Sequence, residues 1–488
     1  MPRATWKATR SVGKPLKGLL DNWLRGHSLP RASSCHVHST GCPMTSTRDI
    51  RFRPEHAIWR GEERNFELQL LPLGWLYKSP VDVWVNTRAG GEPQRLTADS
   101  RLFAMGPLIG EATTSAPYAF SGFRVHGPLN RVDYFDEIAV FQGASYFRAV
   151  GRGLGYGLSA RGLAIATGRP EGEEFPFFRA FWIERPERGA SEVVVHALLD
   201  SPSTTGAYRF VIAPGATTTM DVEATLFPRR SMPFAGLAPL TSMYLHGAAQ
   251  RRIRDDFRPA VHDSEGLAIL NGRGECLWRP LANPRRLQAS AFVDTDPKGF
   301  GLCQRDRAFA SYQDLEARYE RRPTAWVEPK GRWGAGAVEL IEIPAEEEIH
   351  DNIVAFWRPA APIAPGKPMR FAYRLHWGEA IPVPWSGIRA GKTHRGRHAN
   401  NKQTGSTVFV VDFDGPAAGD LGSLPEAEVS ASAGTLAHVV VQKNPEIAGF
   451  RVSFELDPGQ AEIVELRLGL KSAGQLISEN WLYRWTQT

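Results

Sequence analysis

Apolar and polar residues alternate one by one along long stretches of this chain, a period that half-buried β-strands satisfy and helices do not. Phe66, Leu68 and Leu70 alternate with Glu67 and Gln69, and Val81, Val83 and Val85 with Asp82 and Trp84. Further on, Phe450, Val452, Phe454 and Leu456 alternate with Arg451, Ser453 and Glu455, and Leu466, Leu468 and Leu470 with Arg467 and Gly469. Successive side chains of a strand point to opposite faces, so each run offers one apolar face to a core, as antiparallel sheets require. Turn-forming clusters at 202–206, 213–215 and 457–459 separate such runs. One short helix is expected at 311–321, where Tyr312, Leu315 and Tyr319 stand three and four residues apart. The fold class is therefore all-β, with packed sheets as the default architecture.

A chain of 488 residues exceeds one small domain, and its 14 Trp, 36 Pro and 47 Gly suit a turn-rich β protein. The tract 381–387, IPVPWSG, carries two prolines and a glycine directly after a strand-like run and reads as a stiff linker. It separates a large β-sandwich, residues 48–380, from residues 388–488, whose length and strand rhythm match an immunoglobulin-like β-sandwich. Residues 1–47 are expected to be a basic leader, either disordered or ahead of the true start.

The net charge of +6 belongs to that leader. Residues 1–48 hold eight Lys or Arg against one acid, Asp21, which leaves the rest of the chain at −1. A nearly neutral body gives no ground for a nucleic-acid partner. Leu19 and Leu20 run straight into Asp21 and Asn22, so the leader lacks the apolar core of a secretory signal. Its basic, acid-poor character is also that of a transit peptide, and it fixes no location. No stretch approaches the roughly eighteen consecutive apolar residues of a membrane helix. Cys35, His36, His38 and Cys42 follow the spacing of no common zinc module, so no metal and no cofactor are expected. Cys276 and Cys303 lie in strand-like sequence and read as buried thiols.

Chemistry concentrates between Asp294 and Trp357, where charged, aromatic and turn residues are too dense to form only a core. Aromatic faces that stack on sugars, guanidinium forks that bind hydroxyls and carboxylates that move protons are what carbohydrate chemistry needs. Tyr319, Arg321, Arg322 and Trp326 fall within eight residues and could line a sugar cleft or simply stack at a surface. Two His-Asp dipeptides occur, His262-Asp263-Ser264 and His350-Asp351-Asn352; neighbouring residues of a strand face opposite ways, so each His need not act with its Asp. The glycines of 151–157 lack the spacing of a dinucleotide fingerprint and read as turn glycines, like those of 331–336. No Gly-x-Ser-x-Gly elbow appears.

These segments resemble the glucan biosynthesis protein G/D family of bacteria that make osmoregulated periplasmic glucans. The resemblance runs from about Arg48 to Trp485 and rests on GASYFRAV (143–150), GLSARGLAI (157–165), LTSMYLHG (240–247), VHDSEGL (261–267), DPKGFGL (296–302), RRPTAWVEP (321–329) and HDNIVAFW (350–357). It implies a mutarotase-like first sandwich, an immunoglobulin-like second one, a periplasmic location and chemistry on β-1,2-glucan. Some members resemble the inverting hydrolases of glycoside hydrolase family 186, and close relatives cyclise linear glucan by inverting transglycosylation. Carried over, Asp351 would be the general acid and Asp263 the base, working through water or a substrate hydroxyl. Tyr319 and Glu348 would serve relay or substrate contact, with Arg322 and Trp333 as further binding candidates. An acid protonated near neutrality needs a raised pKa, which burial and the neighbouring Glu346, Glu347 and Glu348 would supply. The leader departs from the family's export signal, and the basic stretch 389–403 reads as a shorter loop than the family's. His394, Arg395 and Arg397 there would suit a phosphorylated glucan. The rival reading is a non-catalytic glucan-binding partner of a membrane glucosyltransferase; a homodimer is compatible with either.

Overall fold

The computed structural model describes residues 50–74, 77–86, 92–107, 119–250, 255–382, 387–397, 406–419 and 421–487. The leader, the Cys35–Cys42 pattern, much of the Pro-rich tract and residues 398–405 lie outside them. Among the described residues no α-helix occurs, and strands joined by turns and short 3-10 segments make up the fold.

Two large sheets face one another. The first runs in space from Glu67–Pro72 through Phe120–Pro128, Phe135–Gln142, Tyr146–Ala149, Ser159–Arg161, Ala235–Ser242, Ile353–Pro359 and Ala335–Glu342 to Gln288–Thr295, with every neighbouring pair antiparallel. The second is built around Gly266–Leu270, Gly299–Cys303, Thr324–Lys330, Met369–Gly378, Thr218–Pro228, Thr204–Ala213, Val193–Asp200 and Phe177–Ile183. Leu68, Leu70, Phe123, Phe141 and Phe147 from the first sheet meet Phe181, Phe210, Val222 and Leu375 from the second in one core. Phe141 stacks on Phe147 at 5.5 Å and meets Phe210 edge-on at 5.2 Å, the offset geometries that aromatic quadrupoles favour. The alternation seen in the sequence is the alternation of burial: Phe450, Val452, Phe454 and Leu456 are buried, while Arg451, Ser453 and Glu455 are half-exposed.

The last hundred residues form a second core. A four-stranded sheet, Arg389–Gly396, Thr407–Asp414, Gly449–Asp457 and Thr435–Asn444, packs on Glu426–Ala431, Ile463–Ser472 and Asn480–Thr486 around Phe409, Phe454, Leu466, Trp481 and Tyr483. The latter three strands continue the second large sheet, because Leu277 and Trp278 pair in parallel with Asn480 and Trp481. Trp278 and Trp326, from the first part of the chain, complete this core.

Two local expectations are corrected. The stretch 311–321 is two 3-10 turns, Phe309–Ser311 and Tyr319–Arg321, rather than a helix. Gln313 and Arg318 adopt positive φ, the Asp314 carboxylate caps the amides of Glu316 and Ala317, and Leu315 is exposed instead of buried beside Tyr312 and Tyr319. The basic stretch after the linker begins as a strand, Arg389–Gly396, rather than a loop. Cys276 and Cys303 are free and buried, and burial raises both thiols to about 12.

Candidate active site

Both Asp residues of the His-Asp dipeptides are pinned to one short junction, residues 242–244. Asp263 follows the strand Val261–His262, and its main-chain N–H donates to the Met243 carbonyl at 2.9 Å. Asp351 stands just ahead of the strand Ile353–Pro359. Its neighbour Asn352 is buried, accepts from the Tyr244 amide at 2.8 Å and donates to the carbonyls of Tyr244 and Ile343 at 3.0 Å each. Ser264 is likewise buried and accepts from the Ser242 hydroxyl at 2.8 Å. The third residue of each motif is thus an anchor, and each anchor leaves the preceding carboxylate at the end of a fixed strand. The histidines do not share this role. His262 is buried flat against Tyr244, with centroids 5.2 Å apart, and bonds Gln304, whereas His350 is exposed.

Around Asp263 the polar side chains form one connected cluster. Arg322 Nε lies 3.4 Å from Asp263 Oδ1, its guanidinium sits 5.3 Å from the Tyr319 ring centroid, and it also donates to the Tyr156 carbonyl. The glycine-rich 151–157 segment makes this possible: a Cβ on Gly157 would come 3.0 Å from Arg322 Cβ and 3.1 Å from its Cδ. The Tyr319 hydroxyl donates to Glu348 Oε2 at 3.2 Å. Glu348 in turn meets Arg258 at 2.8 Å, and Arg258 also pairs with Asp256 at 2.9 Å and Asp314 at 3.0 Å. Arg258 was missed in the sequence, where nothing marks it as a hub that joins its neighbour Asp256 to Asp314 and Glu348, both distant in the chain.

The outer face of the first sheet contributes two more cations. Phe147 and Ala160 point into the core, so Arg148, Ser159 and Arg161 point away from it. Arg148 donates to the Ser159 hydroxyl at 2.6 Å, and buried Arg161 pairs with Glu173 at 2.6 Å while facing the Tyr146 ring at 5.2 Å. Their signal was present in the sequence as lone cations between apolar neighbours in short strands.

Burial pushes the Asp263 carboxyl up to about 6; Arg322 and Arg148 oppose the shift, and the charges of Asp351 and Glu348 add to it. The pKa of Asp351 is also raised by burial, against the pull of Arg148 and Arg161. Asp351 is accessible to solvent, yet enough protein surrounds its carboxyl to disfavour the charged form. The charge of Asp351 adds to the upward shift of Asp263, behind burial and the opposing pull of Arg322.

The family described as "Periplasmic glucan biosynthesis protein, MdoG" matches residues 40–485. The chain belongs to this family. It is 52% identical to "Glucans biosynthesis protein G" of Shewanella frigidimarina over 439 residues, which is 90% of this chain and 78% of that protein. The protein of the same name from Vibrio cholerae serotype O1 is 51% identical, over 90% of this chain and 80% of its own length. That of Shewanella putrefaciens is 52% identical over the same shares.

Of the residues singled out in this family member's sequence, the fold brings Asp263, Asp351, Tyr319, Glu348 and Arg322 together. Trp333 lies elsewhere: it packs on Trp357, Phe371 and Tyr373 and bonds the Ala372 carbonyl. Trp357 is six residues beyond Asp351, about 20 Å along an extended chain. Trp326 is buried over Gly299 and Gly301 in the second core, and Arg321 points to solvent. The acidic triplet does not act as expected either, since burial raises Asp351 and the charge of Glu348 bears on Asp263 instead. Among the described residues no cluster of His, Cys, Asp and Glu could hold a metal.

Proposed function

We propose that this chain acts in periplasmic glucan biosynthesis as an inverting enzyme on β-1,2-glucan, hydrolysing it or closing it into a ring. The observation that carries this reading is the pair Asp263 and Asp351: two carboxyls with raised pKa, the charge of Asp351 bearing on Asp263, and both tied to consecutive residues of one strand junction. Inversion needs one carboxyl to protonate the leaving glycosidic oxygen and another to deprotonate the incoming nucleophile from the opposite side. Asp351, the more solvent-accessible member of the pair, is the acid. A glucan lying over it expels the remaining water, which raises its pKa further and keeps the proton in place. Asp263 is the base and takes the proton of a water in hydrolysis, or of a glucose hydroxyl in cyclisation, directly or through bound water. When Asp351 gives up its proton, Arg148 and Arg161 stabilise the carboxylate that remains. Tyr319 and Glu348 hold the base side in register with Arg322.

A polymer also needs a track. The outer sheet face that carries Arg148 continues across Arg124 and Gln69 to a hollow of about 520 Å³ lined by Gln69, Tyr77, Arg124 and Gln142. That track would serve a glucan-binding partner of a membrane glucosyltransferase equally well, which makes binding without turnover the second reading. The family description supports the periplasm as the place of action.

Mass spectrometry of linear β-1,2-glucan incubated with the protein tests both readings. Shorter chains at water-added mass indicate hydrolysis, and a product lighter by one water indicates cyclisation; Asp351→Asn abolishes either. Unchanged glucan with the folded native protein would replace the enzyme reading by the binding one.

A further inference from the structure

The Asp263 segment is held by the residues that follow the strand Gly299–Cys303, and these are tied in turn to the carboxyl-terminal strands. Three consecutive residues, Gln304, Arg305 and Asp306, bracket it. The Gln304 amide bonds the ring and the carbonyl of His262 at 3.0 and 3.2 Å, and donates to the Tyr319 carbonyl at 3.0 Å. The main-chain N–H groups of Arg305 and Asp306 donate to Glu265 Oε2 at 3.3 and 3.1 Å. Residues on both sides of Asp263 are therefore fixed by this bracket.

The side chains of Arg305 and Asp306 point the other way, into the carboxyl-terminal strands. Arg305 forms a two-pronged pair with Glu479 at 2.7 and 2.8 Å, donates to the Ala390 carbonyl and lies 3.6 Å from the ring centroid of Trp278. Glu479 is buried, precedes the strand Asn480–Thr486 and also accepts from the Ala390 amide at 3.0 Å. Asp306 meets Lys392 at 2.8 Å. A buried ion pair adds little net stability over an apolar contact, but its forked geometry admits one arrangement of the groups it joins.

We propose that Arg305 and Glu479 are positioning residues for the candidate base: through the 304–306 bracket, the carboxyl-terminal strands hold residues 262–265 in the geometry that glucan turnover uses. This rests on the reading of Asp263 as base. Neither residue touches the substrate in this account. The groups that face Asp263 are Arg322, Arg148, Asp351, Glu348 and Tyr319, all in the first part of the chain. Loosening the bracket leaves those charges present and admits water to a carboxyl whose pKa burial had raised.

The test is a carbon-13 carboxyl titration of the full chain, with the Asp263 resonance identified by its loss in Asp263→Asn, alongside glucan kinetics. The native midpoint is expected at about 6. Glu479→Gln turns one oxygen into a donor facing Arg305, and should move the midpoint down by about half a unit or more. It should also lower kcat about tenfold with KM within about twofold, as a misplaced catalytic group does. Lys392→Gln, at a half-exposed side chain, should shift the midpoint the same way by less and remains informative if Glu479→Gln fails to fold. A midpoint unmoved in the folded variants overturns the proposal. Absence of glucan turnover by the native protein would instead sink the enzyme reading, and the titration would still decide the bracket.

Discussion

A carboxyl whose pKa is raised to about 6 makes the folded protein less stable above that pH than below it. The folded state binds this proton more tightly than the unfolded chain does, so stability falls as pH rises from the ordinary carboxylate range through about 6. Asp263→Asn removes the ionisation and should stabilise the protein at pH 7.5 by up to about 3 kcal/mol, less whatever Arg322 loses with its partner. Thermal melts at pH 7.5 and pH 4 check this: the gain should appear at the higher pH and vanish at the lower, and an equal gain at both would deny the shifted titration. At this scale the sequence was legible in part. Asp263 and Asp351 stood out as repeated dipeptides, and Tyr319, Glu348 and Arg322 through resemblance. Arg258, Arg148 and Arg161 did not, because their meaning lies in which strands come together around them, and Trp333 was an aromatic whose partners turned out to be other aromatics of the core.

At the scale of elements, the motif His-Asp-Asn sets a candidate side chain for chemistry next to one for architecture. Asn352, itself buried, satisfies three main-chain groups, two on Tyr244 and one on Ile343. Asn352→Ala should therefore cost on the order of 3 kcal/mol, read from the shift in urea midpoint at unchanged slope. A loss below about 0.5 kcal/mol would mean that the junction does not depend on this amide. The strands themselves were readable because one face is buried and one is not, as Phe450 to Leu456 show. The 311–321 segment was misread for the converse reason: spacing alone cannot reveal that Asp314 captures local amides and that Leu315 faces water.

At the scale of the whole molecule, the candidate acid and base come from different layers. Asp351 leads into a strand of the first sheet, while Asp263 leads into Gly266–Leu270 of the sheet that continues into the carboxyl-terminal core. The site therefore exists only where the two layers meet, and no local pattern could announce the parallel pairing of Trp278 with Trp481 that carries one layer onward. The division of labour between the layers is the central claim, and leaving-group chemistry tests it most directly. Asp351→Asn and Asp263→Asn should each lower turnover of native β-1,2-glucan by about 10²- to 10⁴-fold. On a β-1,2-glucooligosaccharide donor with a good aryl leaving group, which needs no proton to depart, Asp351→Asn should recover most of its activity and Asp263→Asn should not. Recovery by Asp263→Asn alone would reverse the roles, and recovery by neither would show that Asp351 is not the acid.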